Sequence, residues 1–451
     1  MANQDIYVGL DIGTTSIKVI AAEVNSGQMS VIGMGNQHSS GLSRGVIVDI
    51  DQAAAAIQTA VQQAADKASI TINQVVVGVP ASLLQIERVT GMIAVGETSK
   101  EITDADVRNV AATAMMRNLP PEREVIAVIP SQFTVDGFDG IQDPRGMIGV
   151  RVEMRGLLLT VPKTVVHNIK RAVNKAGLAI EQMVVNPLAL GEYILSDGEQ
   201  DFGTVVIDLG GGQSTAAVIH DHKLKFTYAD REGGENITKD ISIVLNTDYT
   251  SAEKLKRDFG NADSFAASED ETFPVTVVGK PNPAMISEKY LSEIIEARVT
   301  QILTRLNEAL SDAHALDLPG GIVITGGTAA MPGITSLAKE IFQREVKLYM
   351  PSEVGLRHPS FSQALALIKS AAAMTDIDKL ANSAVTQEEI TATGGRSTQS
   401  TEQPRLARQP SADQQRPARK AKADTASEQQ DEPEPKETGK KIRHFFSSFF
   451  E

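Results

Sequence analysis

The sequence predicts an α/β fold built from two similar lobes. Strands and helices alternate along the chain up to about residue 384, as they do in α/β proteins. In addition, a unit made of a buried strand, an aspartate, a glycine-rich turn and a second strand occurs twice. The first unit comprises Tyr7–Asp11, Gly13–Thr15 and Ile17–Val24, and the second comprises Val205–Asp208, Gly210–Gly212 and Ser214–Ile219. Because the two units lie about half the folded chain apart, a duplicated architecture is expected.

Length and composition restrict the class of protein. A chain of 451 residues is expected to hold two or more domains. It contains no cysteine, which excludes disulfides, thiolate metal sites and cysteine nucleophiles. The formal net charge of -14 would repel a phosphate backbone and so disfavours nucleic-acid binding as the main activity. Neither a secretory signal nor an apolar run of membrane-spanning length is present in the sequence, so a cytoplasmic protein is expected.

The two glycine-rich turns predict a phosphate-binding site. Glycine has no Cβ and tolerates positive φ, so the backbone amides of such turns can approach an anion, and the hydroxyls of Thr14 and Thr15 add donors. If the turns face each other, Asp11 and Asp208 reach the same phosphates, where Mg²⁺, often through water, would relieve their repulsion. Lys18 follows closely enough to reach the phosphates as a point charge. For either turn alone, the alternative is a hairpin that simply needs glycine.

A third segment decides between these alternatives. Residues 321–333 read as a buried strand that runs into Gly326–Gly327 and then a helix, and a flat adenine fits against such a backbone. In order, mutual distance and residue types, the three segments resemble the two phosphate loops and the adenosine motif of the actin superfamily. The resemblance implies a two-lobed ATPase fold with ATP and Mg²⁺ as its ligands. The Walker pattern of P-loop proteins is absent, and His220 and His222 indicate an exposed turn rather than a metal site.

Two stretches narrow the resemblance to one branch of that superfamily. The strand YVGLDIGTT and the segment Gly233–Ile241 look like the FtsA family of bacterial cell-division proteins, over roughly residues 5–380. That family implies four subdomains. Subdomain 1A comprises residues 1–83, 163–195 and about 352–383, and subdomain 1C comprises residues 84–162. Subdomain 2A comprises residues 196–228 and 311–351, and subdomain 2B comprises residues 229–310. Subdomain 1C is the extra α+β unit, with its own helix signal, a capping box at Thr103–Asp106. A unit of this kind is suited to contacts with other proteins.

The resemblance also implies roles for individual residues. Those implied to bind the nucleotide are Gly13, Thr14, Thr15, Lys18, Gly210, Gly211, Gly212, Gly234, Glu253, Lys256, Gly326, Gly327 and Met331. Asp11 and Asp208 would hold Mg²⁺, and Asn186, before Pro187, stands where related filament proteins position the attacking water. An amide orients water but is no base, so we expect slow hydrolysis at most, from a scaffold rather than an enzyme.

The C-terminal part of the chain changes character near residue 384. Residues 384–438 are rich in Gln, Ser, Thr, Pro and charges and hold few large aliphatic residues, which predicts a disordered linker. Residues 439–451 predict an amphipathic helix that lies in a membrane interface. Its apolar face comprises Ile442, Phe445, Phe446, Phe449 and Phe450, and its other face carries Lys440, Lys441 and Arg443. The alternative is a helix that docks back onto the folded body, which the long linker disfavours.

By resemblance, the chain is a cell-division scaffold on the cytoplasmic side of the cell membrane, at the division site. It would form a homopolymer, bind anionic lipid and receive the C-terminal tail of the tubulin-like protein FtsZ, while subdomain 1C contacts later division proteins. Arg298 matches a basic position for the FtsZ tail, although an ordinary solvated helix charge is the alternative. Rival functions on the same fold are a small-molecule kinase, an Hsp70-like chaperone and a pilus-assembly or shape-determining relative. The kinase needs a carboxylate base that no pattern singles out, and the chaperone needs a folded domain where this chain has a linker.

Overall fold

The two lobes are built on five-stranded sheets that share one topology. In the computed structural model, which describes residues 5–25, 27–116 and 119–394, the central strand of each sheet pairs antiparallel with the next strand and parallel with a later one. The first sheet has the order Ala179–Val185, Gln74–Val79, Asp5–Ile12, Ser16–Asn25 and Gln28–His38. The second has the order Val346–Leu348, Ile322–Thr325, Thr204–Leu209, Ser214–His220 and Lys223–Asp230. The predicted two-lobed α/β fold is therefore confirmed.

Helices pack on these sheets through apolar residues at helical spacing. In the helix Ile50–Ala68, for example, Ala53, Ile57 and Ala60 are buried, and the Asp49 side chain accepts the first free backbone amides. The other helices of the described residues are Asp104–Met115, Lys163–Lys175, Asn186–Ile194, Asp197–Phe202, Gly234–Leu245, Tyr249–Phe259, Glu288–Asp312, Ile334–Phe342, Ser362–Ala373 and Asp376–Gly394. None of these helices combines the length and the hydropathy that a membrane span requires.

A further sheet of four antiparallel strands belongs to an inserted α+β domain. Its strands lie in the order Phe138–Ile141, Arg123–Val135, Arg151–Pro162 and Gln85–Ala94. The helix Asp104–Met115 packs on this sheet and begins with the predicted capping box, in which the amide and the hydroxyl of Thr103 both donate to Asp106, at 2.9 and 2.6 Å. The remaining short strands pair as Lys100–Glu101 with Ile148–Gly149, Leu42–Ser43 with Val46–Ile47, and Thr272–Val275 with Ala284–Ser287.

The linker boundary predicted at residue 384 is wrong. The helix Asp376–Gly394 passes through this position, and Ala381 and Ala384 are buried in the core of the inserted domain, with Leu380 and Val385 packed beside them. Composition missed the contact because alanines at helical spacing bury a helix face without large aliphatic side chains. Residues 384–394 are therefore helical rather than linker.

The same helix makes a polar contact with the inserted sheet. The side-chain amide of Asn382 donates to the carbonyl oxygen of Val128 at 3.1 Å, and its oxygen accepts from the Val128 amide at 3.0 Å. The end of the segment predicted for subdomain 1A thus packs against the inserted domain. The rest of the predicted linker and the whole predicted terminal helix, residues 395–451, lie outside the described residues.

Candidate functional site

A cavity of about 650 Å³ lies between the two lobes. Its volume falls in the range of about 300–1,000 Å³ that small-molecule sites occupy. Every residue for which the sequence predicts a nucleotide, metal or water contact lines it, namely Asp11, Gly13, Thr14, Thr15, Lys18, Asn186, Asp208, Gly210, Gly211, Gly212, Gly234, Glu253, Lys256, Gly326, Gly327 and Met331. Segments that are distant in the chain therefore converge on one site.

The two glycine-rich turns face each other and are in contact. A Cβ placed on Gly211 would lie 2.4 Å from Cγ2 of Thr15. A Cβ placed on Gly212 would lie 2.5 Å from Oγ1 of Thr14. Thr14 is buried, and its hydroxyl accepts from the Gly45 amide at 2.9 Å, which fixes its position. Gly211 and Gly212 must therefore be glycine, because Thr15 and Thr14 occupy the space that their side chains would need. A hairpin that made no contact with the first turn would not impose this requirement.

Two carboxylates and one amine meet at the base of the cavity. Strand pairing places Lys18 directly opposite Asp11, and Nζ of Lys18 lies 3.7 Å from Oδ2 of Asp11. Burial raises the pKa of Asp11, and the Lys18 charge opposes that rise. The pKa of Asp208 is raised to about 7, mainly by burial and secondly by repulsion from the Asp11 carboxylate, while the positive charge of Lys18 opposes this rise. A divalent cation at these carboxylates would offset this cost.

The donor set suits Mg²⁺ better than a metal held by protein ligands alone. Within residues 5–25, 27–116 and 119–394, no cluster of three or more histidine, cysteine or acidic side chains is placed to hold a metal ion. Mg²⁺ commonly takes one or two carboxylates and completes its shell with water and phosphate oxygens, which Asp11 and Asp208 allow. His222 is exposed in a turn, and its Nε2 lies 2.8 Å from Oδ1 of Asp201.

Replacing Asp208 with asparagine is expected to flatten the pH dependence of stability of the ligand-free protein. The folded-state pKa of about 7 exceeds the value of about 3.9 for an unfolded aspartate, so the folded state binds this proton more tightly. The free energy of unfolding of the parent should therefore fall as the pH rises from about 4 to about 7, by an extra amount on the order of a few kcal/mol. Urea unfolding at a series of pH values measures this slope.

The exposed Asp312 provides the control, since Asp312→Asn removes a carboxylate from the surface of a helix. Asp208→Asn should gain stability relative to the parent at neutral pH, whereas Asp312→Asn should follow the parent. Parallel pH profiles for the parent and Asp208→Asn would contradict the prediction.

A polar network joins the second turn to the helices of the second lobe. The Gly234 amide and the Thr328 hydroxyl both donate to the Gly210 carbonyl oxygen, at 3.0 and 2.9 Å. Lys256 donates to the carbonyl oxygen of Gly234 at 3.0 Å and pairs with Glu253 at 2.6 Å. Burial lowers the pKa of Lys256, while the Glu253 carboxylate opposes that shift. The network holds the turn and the start of the helix Gly234–Leu245 as one wall of the cavity.

Gly326 also lines the cavity and lies next to Asp208. Its φ is 98°, in the region that favours glycine, and a Cβ on it would lie 2.3 Å from Oδ1 of Asp208. The predicted adenosine segment therefore touches the second predicted metal ligand. The sequence pattern did not predict this contact between Gly326 and Asp208.

Asn186 begins the helix Asn186–Ile194 and lines the cavity from the first lobe. Its Oδ1 is buried and has no hydrogen-bond partner among the described residues, so it is an acceptor available to a ligand or to water. This placement suits the predicted water-positioning role.

Several cavity residues were missed by the sequence analysis. They include Gln213, His358, Ser360 and Gln363. Gln213 directly follows the second glycine-rich turn, so its position next to the motif was a usable signal. The others belong to no motif and come from a segment around the short helix Pro359–Phe361. Burial, followed by the charges of Lys18 and Arg257, lowers the pKa of His358.

Arg298 lies on the helix Glu288–Asp312, away from the cavity, and is already engaged. Its guanidinium donates to both carboxylate oxygens of Asp240, at 2.5 and 3.0 Å, and to Glu232 at 2.7 Å. The alternative was that Arg298 is an ordinary solvated charge on a helix, but its guanidinium is held by these two carboxylates. The predicted membrane-binding residues lie in the segment 440–450, outside the described residues.

Two sequence-family profiles match the chain. The profile described as Cell division protein FtsA matches residues 205–366. The profile described as the SHS2 domain inserted in FtsA matches residues 81–160, the region of the inserted sheet and its helix.

Curated relatives are similar over most of the chain. The cell division protein FtsA of Enterococcus faecalis is 57% identical over 388 residues, which cover 86% of this chain and 88% of the relative. That of Bacillus subtilis is 43% identical over 371 residues, covering 82% and 84%. That of Escherichia coli is 30% identical over 380 residues, covering 81% and 90%.

Solved structures are similar in fold at low sequence identity. A chain of the PilM-PilN type IV pilus biogenesis complex is 14% identical with a TM-score of 0.57, covering 82% of this chain and 99% of that one. MreB5 of Spiroplasma citri bound to ADP is 13% identical with a TM-score of 0.50, covering 87% and 99%. These similarities concern the fold alone, and they confirm the predicted actin-like architecture.

Proposed function

Because the chain belongs to the FtsA family of cell division proteins, we propose that it is a nucleotide-binding scaffold of the division machinery. It binds Mg–ATP between its lobes, assembles with further copies of itself, and anchors FtsZ filaments at the inner face of the cytoplasmic membrane, at the division site. The observation that carries the nucleotide part is the convergence of three sequence motifs on one cavity of about 650 Å³.

The residues of the cavity fit each part of the nucleotide. Backbone amides of the two facing turns bind the phosphates, with Lys18 as a counter-charge, and Asp11 and Asp208 hold Mg²⁺ partly through water. The missing Cβ atoms at Gly211 and Gly212 let Thr15 and Thr14 of the facing turn approach closely, so that both turns can reach the same phosphates. Adenosine lies along Gly326–Gly327 and Met331, with the Glu253–Lys256 ion pair beside it. Bound Mg²⁺ supplies positive charge that offsets the repulsion between the two carboxylates.

The proposed role is that of a scaffold, with slow ATP turnover. The water-positioning side chain is Asn186, and an amide accepts no proton, so the step lacks a general base there. Besides Asp11 and Asp208, the cavity lining holds the carboxylate of Glu253, which is paired with Lys256 and Arg257, at 2.6 and 2.7 Å. A scaffold needs the nucleotide mainly to set the relative position of the lobes.

Membrane attachment is assigned to residues 439–451. Full burial of a Phe or Ile side chain is worth about 1.5–3 kcal/mol, and interfacial burial is partial, so a single tail binds anionic lipid reversibly. Many tails on one polymer bind cooperatively through effective concentration. ATP-favoured assembly therefore makes attachment durable.

The inserted domain, residues 84–162 together with the helix that begins at Asp376, is proposed to receive later division proteins. Subdomains 2A and 2B are proposed with the bounds that the sequence predicts. The FtsZ tail is proposed to bind the second lobe near Arg298, where it competes with the carboxylates that this arginine already contacts.

Recruitment of FtsZ to anionic vesicles tests the proposed anchoring function. Vesicles carrying the full chain and Mg–ATP should pellet FtsZ, and vesicles without the chain should not. Arg298→Glu is expected to weaken FtsZ recruitment by about tenfold or more, about 1.4 kcal/mol, while vesicle binding by the chain itself is retained.

Asp240→Ala is the matched control for this substitution. It breaks the same ion pair but keeps the Arg298 charge, so it should recruit FtsZ at least as well as the parent. An equal loss of FtsZ recruitment in both variants would mean that the Arg298–Asp240 ion pair supports the local structure and that the Arg298 charge does not bind FtsZ. If the parent recruits no FtsZ, the proposed anchoring function fails.

A further inference from the structure

A short hairpin, residues 42–47, carries an arginine in an unusual backbone conformation. Its strands Leu42–Ser43 and Val46–Ile47 pair antiparallel and are joined by the two-residue turn Arg44–Gly45. Both turn residues have positive φ, at 49° and 78° in chain order. A type I′ hairpin turn requires positive φ at both positions, and Asn-Gly is its common sequence, whereas other side chains rarely adopt positive φ. Such outliers cluster at functional sites, so the arginine requires an explanation.

The hairpin is fixed to the first glycine-rich turn of the cavity. Just before the hairpin, the Ser39 amide donates to the Thr15 carbonyl oxygen at 3.1 Å, and the Ser39 hydroxyl donates to the Gly13 carbonyl oxygen at 2.6 Å. At the tip of the hairpin, the Gly45 amide donates to the Thr14 hydroxyl at 2.9 Å. Gly45 also lines the cavity. The tip therefore lies beside a turn that is proposed to bind phosphates.

The same tip reaches the second lobe. A Cβ at Gly45 would lie 2.4 Å from Oε1 and 2.7 Å from Cδ of Gln213, the residue that follows the second glycine-rich turn. Both proposed phosphate-binding turns thus flank the tip. The Cα atom of Arg44 lies one peptide unit, about 3.8 Å, from that of Gly45, so its long side chain can reach the phosphates.

The charged side chains that line the cavity are already paired with one another. They are the carboxylates of Asp11, Asp208 and Glu253 and the cations of Lys18, Lys256 and Arg257. Lys18 lies 3.7 Å from Asp11, and the other two cations lie 2.6 and 2.7 Å from Glu253. Because Mg–ATP brings a net negative charge to this balanced set, a further positive group beside the phosphates would strengthen its binding.

Arg44 carries such a charge. Its side chain is exposed, and its guanidinium forms no ion pair or hydrogen bond with any of the described residues. The planar guanidinium presents its N–H donors as a fork that matches two phosphate oxygens. An arginine at the tip thus has both the position and the chemistry for a phosphate contact.

We propose that Arg44 binds the terminal phosphate of ATP and thereby favours ATP over ADP. The inference rests on the proposed Mg–ATP site, in which adenosine lies along Gly326–Gly327 and Met331. The phosphate between the two facing turns is then the one farthest from adenosine, and it is the one that ADP lacks. The positive φ of Arg44 is explained because the turn places this side chain at the mouth of the phosphate site.

Isothermal titration calorimetry of the full chain with Mg–ATP and with Mg–ADP tests this assignment. Arg44→Gly is the sharpest variant, because glycine adopts positive φ without strain and the turn keeps its shape. We expect the affinity for ATP to fall by about tenfold, about 1.4 kcal/mol, and the affinity for ADP to change by less than about twofold. If Arg44 only shaped the turn, Arg44→Gly would bind both nucleotides as the parent does, and that result would overturn the inference.

Two further variants test the guanidinium itself. Arg44→Lys keeps the charge but loses the planar fork, so its ATP affinity should lie between those of the parent and Arg44→Gly. Arg171→Ala removes an exposed arginine from the helix Lys163–Lys175, outside the cavity lining, and should bind both nucleotides as the parent does. An equal loss of ATP affinity in Arg171→Ala would mean that net charge alone sets the affinity, which would overturn the contact.

The ADP titration separates this inference from the proposed function. If Arg44→Gly loses affinity for ATP and ADP equally, the guanidinium does not contact the terminal phosphate. The inference then fails, while the proposed nucleotide site stands. If the parent binds neither nucleotide, the proposed function fails and the inference fails with it.

Discussion

Gly212→Ala should abolish Mg–ATP binding at concentrations that saturate the parent, while the protein remains folded. The new Cβ would lie within 2.7 Å of Oγ1, Cγ2 and Cβ of Thr14, so rotation of the threonine side chain does not make room for it. Thr14 is buried and bonded to the Gly45 amide, so the two turns must move apart. Because the turns bind the same phosphates, we expect at least a hundredfold weaker affinity, about 2.7 kcal/mol.

Isothermal titration calorimetry with Mg–ATP measures this effect, and circular dichroism checks the fold. Gly198→Ala is the matched control, because a Cβ at Gly198, in the helix Asp197–Phe202, meets nothing within 4 Å. The control should bind as the parent does. Parent-like affinity in Gly212→Ala would mean that the facing turns are not the phosphate site.

Phe445→Asp together with Phe449→Asp should remove the chain from anionic vesicles in a co-sedimentation assay with Mg–ATP. The two phenylalanines lie one helical turn apart on the predicted apolar face, and each aspartate replaces apolar burial with a charge that anionic lipid repels. Losing two Phe contributions of up to about 1.5–3 kcal/mol each, and adding two charges that the lipid repels, removes a large part of the binding free energy of one short helix. We expect no detectable protein in the pellet.

Ser447→Asp together with Ser448→Asp is the control for added negative charge. These residues lie on the other helical face, so the variant keeps the apolar face and should still pellet, although less at low salt. A chain that ends at Thr438 should behave like the double Phe variant. If the intact chain stays in solution with all three variants, residues 439–451 bind a protein surface instead of lipid.

Much of the site follows from local patterns. A strand that ends in aspartate before glycines exposes backbone amides whatever surrounds it. Two such segments, followed by a third strand that runs into Gly326–Gly327, indicate two lobes around a phosphate site. Helices were predictable for the same reason, since the capping box at Thr103–Asp106 involves only four consecutive residues. Cavity residues such as His358 and Gln363 were not predictable, because they reach the cleft only through the packing of a distant segment.

The sequence by itself determined the fold class, the family and the motif residues that line the main cavity, because these depend on short motifs whose order is written in the chain. Only the tertiary structure decided that Thr14 fills the space at Gly212, that Arg298 is bound by Asp240, and that the helix Asp376–Gly394 packs on the inserted domain. It also brought the hairpin turn at Gly45 against Gln213 of the second lobe. Each of these is a contact between residues far apart in the chain, and such contacts depend on close packing in three dimensions, which leaves no periodic trace in the sequence.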